Sequence, residues 1–192
     1  MRNLREISRR DDVSPVIRRF FINTLFDSTF MLVGIIVGAS FATEANLRVI
    51  IVTMVTTSLA LGISTGVSVF EAESLEQERK ISELERALFR GLSGTKIEKS
   101  SKSIIMLAAL INFLTPPFSC AVTISPFVLA ALNIVEVDVA SWISVTLAFS
   151  ILFVAGVYMG RLGKKNPWIK GLRMVGFGLA AFIIGVLLDT LV

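Results

Sequence analysis

The chain contains no histidine and a single cysteine, Cys120. These two gaps exclude structural zinc sites, imidazole copper sites, HExxH hydrolases and Ser-His-Asp triads, each of which needs imidazoles or several thiolates at fixed spacing. One thiol in an apolar stretch also excludes an intramolecular disulfide framework. Any metal must be held by carboxylate, carbonyl, hydroxyl, thioether or water, a donor set suited to Mg²⁺, Ca²⁺, Mn²⁺ and ferrous iron. No nucleophile stands with a base, so no enzyme is expected, and no tightly bound cofactor. The stretch GLSGTK at 91–96 lacks the spacing of a phosphate-binding loop, and no strand precedes it.

Apolar residues dominate what is present: 54% of the 192 residues are hydrophobic, and the mean hydropathy is +0.76. That places the chain among polytopic membrane proteins. Five apolar segments, 20–42, 47–70, 103–132, 139–160 and 169–192, are each near the roughly 20 residues that a bilayer requires. The fold class expected is all-α, a single membrane domain over 1–192 with five transmembrane helices. The basic start before 20–42 is reminiscent of a secretory leader, but the apolar run is too long for one and holds a charge. Of the 19 Lys and Arg residues, all but Arg48 fall before the first segment, between the second and third, or between the fourth and the start of the fifth. The positive-inside rule then puts the N-terminus in the cytoplasm and the C-terminus outside, as an odd number of spans requires. A cell-membrane location is expected.

Against this background Asp27 is the conspicuous residue, because 20–42 contains no other charge. At 1.5 Å per residue it lies about 10 Å in from the end that follows Arg18 and Arg19, where an ionised group costs about 2.5–3.5 kcal/mol. Asn23, Asp27 and Met31 recur at i and i+4 and share a helix face, which Gly34 and Gly38 continue as a small-xxx-small packing seam. Pairing of Asp27 with a snorkelling Arg18 or Arg19 is the structural alternative.

The second segment carries Thr53, Thr57, Ser64, Ser68 and Glu71 on about one stripe, hydroxyls that commonly bond back to their own turn. No Gly or Pro interrupts the chain between Gly66 and Gly91, so the helix is expected to run on through Glu71, Glu73, Glu76, Glu78, Glu83 and Glu85. Such an extension is either a solvated face with pairs such as Glu76–Lys80 or a cation-collecting vestibule. Residues 91–102 read as a polar connector. Pro116, Pro117 and Pro126 then interrupt the third segment, near Asn112, Thr115, Ser119 and Thr123, and an unwound or kinked span is expected there. In the last two segments Gly156 and Gly160 form another small-residue pair, and Trp142 and Trp168 are placed as interfacial anchors.

Three stretches, FDSTFMLVGIIVGA, GVSVFEAESLEQERKISELERAL and LFVAGVYMGRLGKKNPWIKGLRMVGFGLAAFIIG, together resemble the vacuolar iron transporter family of five-span divalent-metal carriers, in a compact prokaryotic or archaeal branch. The resemblance runs from about Arg18 to Val192. It implies a homodimer that moves Fe²⁺, and often Mn²⁺, away from the cytosol by proton exchange. By that resemblance Asp27 is the intramembrane metal ligand, assisted by Met31, and Glu71, Glu73, Glu76, Glu78 and Glu83 belong to a cytoplasmic metal-binding region. The chain departs from the family at Ser28, where glycine is usual, and at Ser64, Thr65 and Gly66, where Gly-Glu-Tyr is common. It also has Leu61 near the place of a frequent methionine, and a much shorter cytoplasmic segment. The expected partners are divalent metal ions, protons, membrane lipid and a second copy. The alternative is a non-transporting membrane protein whose acidic helix binds a cytoplasmic partner.

Overall fold

The structure is a computed structural model that describes residues 13–40, 46–89, 96–163 and 166–191. Five helices follow one another in it: α1 Val13–Ser40, α2 Leu47–Leu88, α3 Lys96–Ala131, α4 Val137–Leu162 and α5 Pro167–Leu191. Each holds a stretch long and apolar enough to cross a membrane, and no strand occurs among the described residues. The all-α, five-span expectation is met at this level.

Local chemistry sets the helix ends. Asn46 caps α2, its Oδ1 accepting from the backbone N–H groups of Arg48 (3.1 Å) and Val49 (3.3 Å), two of the donors that a helix start leaves unpaired. Asn133, at φ 57°, closes α3 in the left-handed conformation. Ile134 N–H then reaches back to Leu129 O (3.1 Å), which is the Schellman pattern. Pro167 opens α5 at the first helical position, where its missing N–H costs nothing.

Two helices depart from simple spans. At 42 residues α2 is about 63 Å long, twice a hydrocarbon core of about 30 Å, so its glutamate-rich half extends beyond the bilayer as a continuation of the same rod. The third helix is not unwound: it begins at Lys96, within the stretch read as connector, and continues through Pro116, Pro117 and Pro126. Hydroxyls supply two of the three missing donors. Pro116 has no N–H to give to Asn112 O, and Thr65 Oγ1 donates there instead (3.2 Å); Pro126 likewise frees Val122 O, which accepts from Ser125 Oγ (2.8 Å).

Packing groups the chain into two compact units, one made of Met1–Thr24 and Gly62–Leu114, the other of Leu25–Leu61 and Thr115–Val192. In the first, Ile22, Val69, Ile104, Ile105 and Ala108 are buried. In the second, Leu32, Ile36, Ile50, Met54, Cys120 and Phe127 form the core. There α4 and α5 pack closely because glycines line their contact: a Cβ on Gly156 would lie 2.8 Å from Gly171 Cα, and one on Gly160 would lie 2.5 Å from Pro167 Cα. The rest of α5 is largely outward, with Phe177, Ile183, Ile184 and Leu187 exposed as a lipid-facing helix requires.

Candidate functional site

Helix α1 has two unlike faces. Leu25, Thr29, Leu32, Val33 and Ile36 are buried, whereas Asn23, Asp27, Gly34 and Gly38 are exposed along the opposite stripe. At 100° per residue these four fall within an arc of about 60°. A Cβ added at Gly34 or Gly38 would meet nothing within 4 Å, so the small-residue seam on α1 touches no other part of the described chain. Asp27 lies ten residues into the apolar stretch Ile17–Ala39, about 15 Å along and so near the middle of that stretch. Among the described residues no ion pair reaches its carboxylate, and Arg19 stacks instead on Phe20, 5.1 Å from the ring centroid. Met31 turns partly inward and packs against the core that contains Leu32 and Ile36.

Each unit also buries polar side chains that the sequence pattern only partly revealed. In the first unit Thr24 Oγ1 donates to Asn112 Oδ1 (2.6 Å), and Asn112 Nδ2 donates to Ala108 O (2.8 Å). With Thr65 on Asn112 O, one asparagine ties α1, α2 and α3 together. In the second unit Ser28 Oγ lies 3.2 Å from Ser119 Oγ, and the buried Ser58 donates to Val55 O (2.9 Å). Thr123 bonds back to Ser119 O (3.0 Å), while Ser144 Oγ is buried without a partner among the described residues. Asn112, Ser119 and Thr123 stood out in the sequence, Ser28 only as a departure from the family, and Thr24 and Ser58 not at all. Their signal was the i, i+4 spacing of Thr24 and Ser28, one position over from Asn23 and Asp27. Several second-span hydroxyls satisfy themselves locally, as with Thr57 Oγ1 on Thr53 O (2.6 Å) and Thr56 Oγ1 on Val52 O (2.7 Å).

The glutamates of α2 diverge. Glu71 lines an apolar groove, and Glu76 pairs with Lys80 (3.5 Å), both about half exposed. Glu78 and Glu83 face solvent. Glu73 is only 5% exposed. It continues the inward row of Gly62, Gly66 and Val69, whose 4, 3, 4 spacing was available in the sequence. Among the described residues no three acidic or thiol side chains are grouped to hold a metal ion. The candidate ligands are on different helices, Asp27 on α1 and the glutamates along α2.

Fold and surface together define an all-helical, multi-pass membrane protein with an intramembrane carboxylate on its outer face. It is similar to an uncharacterised protein of Methanocaldococcus jannaschii, 27% identical over 174 residues that cover 89% of this chain and 87% of that protein. No protein-family profile matches the chain. No solved structure matches it.

Proposed function

We propose that this chain is a membrane carrier that moves a divalent cation, Fe²⁺ or Mn²⁺, out of the cytoplasm in exchange for protons. It works as a homodimer in the cell membrane, with the α1 faces of two copies meeting. The observation that carries the reading is Asp27, exposed at mid-span and flanked on its stripe by Asn23, Gly34 and Gly38. Facing lipid, an ionised carboxylate there costs about 2.5–3.5 kcal/mol, a cost that a cation or protons held between two copies would offset. The glycines permit close backbone approach.

Two Asp27 carboxylates brought together repel unless something neutralises them. A divalent cation does so, and protons do so in its absence, which makes the two alternative occupants of one place. With Asn23 the donors are all oxygen, which favours Mn²⁺ and Fe²⁺ over softer ions. The glutamates of the α2 extension act in this scheme as a field that raises the local cation concentration rather than as a chelating pocket. Their lack of grouping also favours the second reading, a non-transporting protein whose acidic helix binds a cytoplasmic partner.

Flux separates the two. Protein reconstituted in liposomes with an entrapped Mn²⁺-quenched dye should show uptake that an opposing proton gradient drives and that Asp27→Asn abolishes. Full flux in Asp27→Asn removes Asp27 from the mechanism, and no flux in wild type leaves the interaction reading.

A further inference from the structure

Helices α2 and α3 cross closely in the first unit. A Cβ on Gly66 would lie 3.0 Å from Phe113 Cβ and 3.4 Å from Ala109 O. The small residues at this crossing floor an open groove of about 400 Å³ whose sides include Val67, Phe70 and Leu110 and whose end is Glu71. Val67 and Leu110 are 58% and 51% exposed, so the groove opens on the face that the bilayer covers. From Ile63 to Glu71 it follows α2 for about 12 Å, close to the depth of one leaflet of a core about 30 Å thick. Glu71 is the first charged residue after Arg48, which brings its carboxylate to the level where headgroups begin.

We propose that this groove is a lipid site selective for a primary-ammonium headgroup. One hydrocarbon chain lies along Val67, Phe70 and Leu110, and the headgroup ammonium pairs with Glu71. Charge complementarity selects this occupant: the apolar walls take a tail from any lipid, but the carboxylate at the rim repels anionic headgroups. It also favours a compact ammonium, with N–H donors, over a quaternary amine that has none. The inference does not depend on cation transport, and it assigns Glu71 to the lipid face rather than to the cation-collecting row.

Native mass spectrometry of the full chain released from nanodiscs of equal phosphatidylethanolamine and phosphatidylcholine tests it. Wild type should retain the ethanolamine lipid about two- to fivefold in excess, the range of an exposed ion pair. Glu71→Gln should bring the ratio to one, and Val67→Trp, which fills the groove from its exposed side, should lower the retention of both lipids. Equal retention by wild type, or a preference that survives Glu71→Gln, overturns the proposal. So does a Val67→Cys variant in a Cys120→Ser background that cross-links to itself across two copies, since a second chain would then occupy the groove.

Discussion

Leucine in place of Gly38 separates a free α1 face from one covered by a second copy. Within the chain the added side chain meets nothing within 4 Å of its Cβ, and removal of a glycine from the last turn of α1 favours the helix by at most about 1 kcal/mol. The isolated fold should therefore be unchanged or slightly more stable. In a dimer packed through the α1 stripe, where helix axes approach to about 8 Å, the same side chain overpacks the contact by about 1–3 kcal/mol. At 1.4 kcal/mol per tenfold, association should weaken about 5- to 150-fold. Gly176→Leu on α5 is the matched control, because a Cβ there is equally open. Energy transfer between donor- and acceptor-labelled copies, followed as lipid dilutes the protein, reads the dissociation constant, and thermal unfolding in micelles confirms the fold. If Gly34→Leu and Gly38→Leu associate as Gly176→Leu does, two copies do not meet through α1.

The other glycine pair should behave in the opposite way. Gly156→Leu drives a side chain into the α5 backbone, Gly171 Cα being 2.8 Å from its Cβ, and should cost the fold at least about 1–3 kcal/mol, read as a lower unfolding midpoint. Thr65→Val removes the hydroxyl that replaces the N–H missing at Pro116; a loss of about 0.5–2 kcal/mol is expected in denaturant titration, with Thr65→Ser retaining most of it. Asn112→Leu leaves the Thr65 bond, which is made to the backbone carbonyl, and removes the Thr24 bond and the Nδ2 bond to Ala108 O; a loss of about 1–3 kcal/mol is expected in the same titration, and an unchanged midpoint would show that the Thr24 bond contributes nothing.

The five spans were legible from composition alone, since a bilayer imposes a length that apolar runs must meet. So was the unbroken course of α2 into its glutamates, and with it the Glu76–Lys80 pair. The unwinding allowed for in the third helix does not occur: proline is a local rule, and the hydroxyl that offsets Pro116, Thr65, is 47 positions distant from Asn112. Gly34/Gly38 and Gly156/Gly160 share one motif, yet the first faces outward and the second packs on α5. Spacing states that a seam exists and leaves its partner unspecified. Asp27 is the same case at the candidate site: periodicity supplied its stripe, and only the packing of the opposite face turned that stripe outward. Burial of Glu73 followed a 4, 3, 4 row that its charge concealed.

Cation stoichiometry at Asp27 is the most direct test. Purified protein titrated with Mn²⁺, with free ion followed by electron paramagnetic resonance, should bind half an ion per chain more in wild type than in Asp27→Asn, one ion shared by two copies. Identical binding curves for the two proteins would contradict a cation site at Asp27.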